Sequence, residues 1–127
     1  MGQINYTVGD SLIKIKNAAL AGQKMVEIKN TKMVKNVVDV LLKLGFVSEI
    51  KSKDGLLEVY LAYKRKAPVL SNIKLVSKPG LRVYWDIKKL KNYRSASVLL
   101  ISTSKGVLSS KDALKEGVGG EVIAEVL

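Results

Sequence analysis

The sequence predicts a mixed α/β chain of the α+β kind, built as two small lobes. An N-terminal α-β-α-β-β lobe is expected over residues 1–63, and a strand-rich C-terminal lobe with short helices over residues 64–127. Three observations carry this. Apolar residues alternate between helical and strand-like spacing through the first half. Short strand-like runs separated by turn residues fill the second. A basic run ending in proline, Lys64-Arg65-Lys66-Ala67-Pro68, divides the two. A length of 127 residues suits one compact domain or two lobes sharing an interface, and 47% apolar content suffices for a buried core.

In the first lobe, Val8, Leu12, Ile15 and Ala19 recur within one narrow helical stripe, with Lys14 and Asn17 opposite and Lys16 at the border. Thr7 and Asp10 supply a T-x-x-D start signal. Met25 to Lys29 reads as a short strand, with Val26 and Ile28 on one side. The clearest element is a helix from Thr31 to Leu44. Its apolar arc is Val34, Val37, Val38, Leu41 and Leu44, and its polar stripe is Lys32, Asn36, Asp39 and Lys43. Gly45 stops it as a left-handed cap. Strands over Phe46–Lys51 and Leu56–Tyr63 flank Asp54-Gly55, a pair that favours a tight hairpin because both central turn residues need positive φ.

In the second lobe, Ile73 and Leu75, then Leu81 and Val83, alternate on either side of Ser77-Lys78-Pro79-Gly80, which suits a type II turn. Asp86 to Asn92 reads as one helical turn exposing Lys88, Lys89 and Lys91. Val98–Ser102 is an apolar strand, and Thr103-Ser104-Lys105-Gly106 is a loop. Ser109 with Asp112 starts a short helix that ends near Gly117, and Glu121–Leu127 is a final strand.

Composition narrows the chemistry. The net charge of +11 attracts polyanions, and nucleic acid is the commonest folded partner of that kind. Residues 1–63 hold nine Lys against six acids, and residues 64–127 hold thirteen Lys/Arg against five, so the charge is concentrated in the second lobe. An anionic membrane is the rival partner. No apolar run approaches the roughly 18–20 residues that span a bilayer, and Met1-Gly2-Gln3-Ile4-Asn5 lacks the basic-then-apolar order of a signal peptide. Met1-Gly2 alone is poor evidence for myristoylation. With no Cys and no His, the chain has neither a thiolate nor an imidazole for catalysis or metal binding. A cytoplasmic, non-catalytic protein without metal, cofactor or small-molecule substrate is the expectation.

Ten basic residues and one acid, Asp86, lie between Lys64 and Arg94, interleaved with Tyr84, Trp85 and Tyr93. The cations suit phosphates, and exposed aromatics would stack on unpaired bases. The bland alternative is a solvated lysine surface with buried aromatics. It leaves the bias of sign over the whole segment unexplained. Ser102-Thr103-Ser104-Lys105-Gly106 puts three hydroxyls and a cation at a strand end, as donors to phosphate, ribose or a base edge. The same letters spell the S-x-x-K of penicillin-recognising enzymes, but the S-D-N and K-T-G elements of that site are absent. Gly117-Val118-Gly119-Gly120 precedes a strand and lacks the G-K-[ST] ending of a phosphate loop. It reads as a turn, or as glycines that let backbone approach another chain closely. Asp112, Glu116 and Glu121 read as helix-start and surface charges, with Glu121 also placed to accept from base amino groups.

Three stretches now stand out together. Ser77-Lys78-Pro79-Gly80-Leu81-Arg82-Val83-Tyr84, Ile101-Ser102-Thr103-Ser104-Lys105-Gly106-Val107 and Gly117-Val118-Gly119-Gly120-Glu121-Val122 resemble, in order and separation, the signatures of ribosomal protein eight of the small subunit. Asp10, Lys14-Ile15-Lys16-Asn17-Ala18 and Gly45-Phe46 extend the resemblance, which runs from Tyr6 to Leu127. It implies two α/β lobes and direct binding to the central domain of the small-subunit rRNA, early in assembly. It also implies neighbouring ribosomal proteins as partners and, as is common in bacteria, repression of the protein's own operon mRNA. The implied RNA contacts are Ser102, Thr103, Ser104, Lys105 and Gly106 in the hydroxyl loop, Gly120 and Glu121 after it, and Tyr84 and Lys78 around the P-G turn. In the first lobe they are Lys16, Thr31 and Lys32. The chain departs from the family in two places: the family often has Asp-Pro where Tyr6-Thr7 stands, and Arg in place of Lys16. Lysine keeps the charge without the planar fork, so a phosphate contact is expected there rather than bidentate recognition.

Overall fold

The computed structural model describes residues 6–127, so the reading of Met1–Asn5 lies outside the described residues. Helix α1 (Tyr6–Leu20) buries the expected stripe of Val8, Leu12, Ile15 and Ala19, together with Ser11 and Ala18. Tyr6 and Thr7 already lie within it, so the T-x-x-D pair does not mark its start.

Helix α2 (Lys32–Leu44) is capped at both ends as its sequence dictates. The Thr31 hydroxyl accepts from the Val34 N–H at 3.2 Å, a contact worth about 1 kcal/mol, and Gly45 takes the left-handed conformation at φ 89°. Val34, Val37, Val38 and Leu41 are buried, while Leu44 packs at the margin. Strands β1 (Met25–Lys29), β2 (Val47–Lys53) and β3 (Leu56–Leu61) form an antiparallel sheet in the order β1-β3-β2. Asp54 and Gly55 both have positive φ, 49° and 79°, as the hairpin requires.

The strand expected to reach Tyr63 stops at Leu61. The basic run then folds into a hairpin of its own, β4 (Tyr63–Lys64) against β5 (Ala67–Pro68), with Arg65 and Lys66 at the turn. Both turn residues adopt positive φ, 54° and 67°, which costs a non-glycine residue roughly 1–2 kcal/mol each.

The second sheet runs β6 (Ile73–Leu75), β10 (Gly120–Val126), β8 (Val98–Thr103), β9 (Gly106–Ser109), and β7 (Tyr84–Trp85) pairs with the start of β10. Strand β9 was not expected from sequence. Helix α3 (Ile87–Lys91) is capped by Asp86, whose carboxylate accepts from the Lys89 N–H at 2.8 Å. Helix α4 (Ser110–Glu116) starts at Ser109 and ends on Gly117, as expected. Leu81 does not share the buried alternation of its neighbours. It closes the P-G turn by pairing with Lys78 and is 61% exposed.

One face of the second sheet belongs to a core shared by both lobes. Ile73, Leu100, Ile123, Ala124 and Val126 pack in the same cluster as α1, α2 and the first sheet. The other face, with Leu99, Ile101 and Val122, packs on Leu90 of α3 and Ala113 of α4. A register shift between Val122 and Ala124 inserts Ile123 as an extra residue, so the successive residues Ile123 and Ala124 both pack in the shared core, while Val122 packs in the other.

An ion pair also joins the lobes, from Lys43 on α2 to Asp112 on α4 at 2.9 Å. The hydrogen bond from Lys43 holds the Asp112 carboxyl below its ordinary 3.8. Hydrogen bonds from the Ser97 and Tyr93 hydroxyls hold Glu125 below its ordinary 4.5. Both folded-state values lie below the unfolded ones. The stabilisation they give is therefore complete above about pH 4.5 and fades as pH falls through the lowered values. Urea midpoints are expected to be flat from pH 7 to pH 5 and to drop below that. Lys43→Met should remove about 0.5 kcal/mol at pH 7 and make the acid limb shallower. An unchanged acid limb in this variant would remove the inter-lobe pair from the account.

Candidate nucleic-acid interface

Most of the sequence-predicted contact residues of the second lobe come together at one end of its sheet. Register places Tyr84 opposite Glu121, Glu121 opposite Ser102, and Ser102 opposite Val107, in a row across β7, β10, β8 and β9. Residues directly opposite each other point to one face, and the strand alternation makes this the face of Leu100. Beyond the row, Thr103 pairs with Gly106 and the turn Ser104-Lys105 projects.

The members of the row are unequal. Tyr84 is 67% exposed and presents an aromatic face. Trp85 and Tyr93, expected as possible stacking groups, are half-buried against the second core and meet edge to face at 5.6 Å. Lys89 lies over the Trp85 ring at 4.8 Å, which leaves Tyr84 as the open aromatic of the basic stretch. The Thr103 hydroxyl is engaged within the turn, donating to the Gly106 carbonyl at 2.7 Å and accepting from the Lys105 N–H at 3.0 Å. It holds the loop in shape. Ser104 is exposed at the tip, beside Lys105, which pairs with Glu116 of α4 at 3.1 Å. That pairing turns Lys105 to a carboxylate rather than to Ser102, against an S-x-x-K catalytic arrangement.

Glu121 is not the open acceptor that its sequence context suggests. Its side chain is 3% exposed, and Arg82 Nη1 lies 3.4 Å from its carboxylate. Burying a carboxylate without a counter-charge is costly, so Arg82 makes that position possible. Arg82 had no assigned role in the sequence. The available signal was its spacing of two from Tyr84, which puts both on one strand face. Ser77 was also missed. Its buried hydroxyl donates to the Val122 carbonyl at 2.6 Å and accepts from the Val83 N–H at 3.1 Å, tying the P-G turn that carries Lys78 to β10.

The glycines before Glu121 let strands approach, but the strands are the chain's own. A Cβ on Gly119 would strike the Trp85 carbonyl oxygen, and one on Gly120 the Ser102 carbonyl oxygen. Lys16, Thr31 and Lys32 are not part of the row. Lys16 is half-buried on α1, Thr31 caps α2 and Lys32 is exposed in its first turn. Among the described residues no cluster of acidic side chains could hold a metal ion, and no helix is long and apolar enough to cross a membrane.

Residues 6–127 match the family model for ribosomal protein S8. The chain is 42% identical over 125 residues to small ribosomal subunit protein uS8 of Caldanaerobacter subterraneus subsp. tengcongensis, covering 94% of this chain and 95% of that protein. It is 38% identical over 130 residues to small ribosomal subunit protein uS8c of Rhodomonas salina, covering 97% and 98% of the two chains. To the uS8c protein of Gracilaria tenuistipitata var. liui it is 40% identical over 130 residues, again 97% and 98% of each. The chain therefore belongs to the ribosomal protein S8 family, a non-catalytic, rRNA-binding structural component of the small ribosomal subunit.

Proposed function

We propose that this chain binds the central domain of the small-subunit rRNA directly, in the cytoplasm, and organises it during assembly beside neighbouring ribosomal proteins. The observation that carries this is the juxtaposition at one sheet end of open Tyr84, the Ser102 row and the projecting Ser104-Lys105 turn, on the more cationic lobe. The two lobes, 1–63 and 64–127, divide the labour. The second reads an irregular, base-exposing part of an RNA helix through Ser102, Ser104, Lys105, Gly106, Tyr84 and Lys78, while Thr103, Gly120 and the buried Glu121 hold that surface in shape. The first fixes register through Lys16, Thr31 and Lys32. An A-form major groove is too narrow for side chains, so base edges are read at bulges or in the shallow groove. An mRNA site of the same shape would meet the same groups, which supports repression of the protein's own operon as a second role.

Binding to a central-domain rRNA transcript should fall with salt at a log–log slope of roughly −3.5 to −4.5 if about five phosphates are neutralised. Ser104→Ala should narrow the gap between this transcript and an unrelated RNA. Lys105→Ala should weaken both by a similar factor, about three- to tenfold. A salt-independent affinity, or equal loss of discrimination in both variants, would overturn this division of roles.

A further inference from the structure

We propose that the Lys64–Lys66 hairpin is a second phosphate-binding element, which grips the RNA backbone independently of the Ser104-Lys105 turn. The inference rests on the RNA-binding reading above and adds a site to it. The β4–β5 pairing, Tyr63 with Pro68 and Lys64 with Ala67, leaves a two-residue turn of Arg65 and Lys66. Both have positive φ, 54° and 67°. Such turns select Asn-Gly or Asp-Gly, and the chain places Asp54-Gly55 at its other turn of this kind. At Arg65-Lys66 it places two long cations instead, directly after a third.

Lys64, Arg65 and Lys66 are all exposed, and among the described residues none of them takes part in an ion pair that would compensate for this choice. Adjacent like charges in a strained turn weaken the fold, and strain that persists without internal reward is characteristic of binding sites. The base of the hairpin is held firmly. The Tyr63 hydroxyl donates to the Gln23 carbonyl at 2.6 Å, and the Val69 N–H donates to Ala62 at 2.9 Å. The neighbouring Leu61 N–H donates to the Lys24 carbonyl at 2.9 Å, which brings the exposed Lys24 to the same base. A rigid mount with cations at its tip suits a phosphate backbone, which is contacted for position rather than for sequence.

The test is a salt titration of the full chain on a central-domain rRNA transcript. Arg65→Asn with Lys66→Gly gives the turn the residues it favours and removes two charges. Arg65→Gln with Lys66→Gln removes the charges alone. Lys51→Gln with Lys53→Gln removes two charges from the β2–β3 hairpin as a control for net charge. Both Arg65/Lys66 pairs should bind roughly ten- to fiftyfold more weakly at 0.1 M salt, with slopes shallower by about 1.4–1.8. The Asn-Gly pair should also melt at least as high as the unaltered chain. Unchanged slopes, or an equal change in the Lys51/Lys53 control, would overturn the proposal. If the unaltered chain ignores the transcript, the RNA-binding reading fails and this site with it. If Ser104→Ala and Lys105→Ala act as expected while the Arg65/Lys66 pairs do not, only the hairpin site fails.

Discussion

Gly120→Ala is expected to destabilise the chain by about 3 kcal/mol and to weaken RNA binding with it. The cause is steric rather than conformational, because Gly120 is not among the glycines with positive φ. A Cβ there would strike the Ser102 carbonyl oxygen and sit 2.9 Å from its carbonyl carbon, and neither atom belongs to a flexible side chain. Relief would require β10 to move from β8, the pairing that sets Glu121 against Ser102. Gly117→Ala provides the contrast. A Cβ there meets open space, and φ of 70° costs only about 1 kcal/mol. Urea denaturation of the two variants separates the effects, and equal losses would show that crowding at Gly120 is not the determinant.

Arg82→Met should cost about 3 kcal/mol, because it strands the Glu121 carboxylate, 3% exposed, without its counter-charge. Adding Glu121→Gln should recover most of that loss, since a neutral amide is far cheaper to bury than an unpaired charge. Stability alone therefore reports whether the pair matters through charge compensation. If the double variant is no more stable than Arg82→Met, the arginine contributes through packing or other contacts and the ion-pair account fails. RNA affinity of the double variant reads a separate matter, namely whether the carboxylate itself contributes to the surface beside Tyr84.

Local signals were legible because local physics decides them. Thr31 and Gly45 bracket α2, Asp54-Gly55 turns its hairpin, and Asp86 and Ser109 cap their helices where the sequence places them. The juxtaposition of Tyr84, Glu121 and Ser102 was not readable, because strand register joins residues far apart in the chain. The burial of Glu121 was hidden for the same reason: its partner Arg82 lies across the sheet. Ile123 illustrates a third kind of loss. Its bulge breaks the two-residue alternation on which strand reading depends, and cover on both faces buries four successive residues of β10. The hairpin at Arg65-Lys66 was missed because its residues contradict the turn they occupy.

Strand β10 lies between β6 and β8 although it follows both in the chain. On a translating ribosome the flanking strands emerge first, each with an unfilled hydrogen-bonding edge, while the first sheet already has all three of its strands. The N-terminal half of a nascent polypeptide therefore has its sheet partners early, and the surface carrying Tyr84 and Ser102 closes only when its keystone segment is synthesised. Vectorial production thus delays the appearance of that surface until every other strand of its sheet has been made.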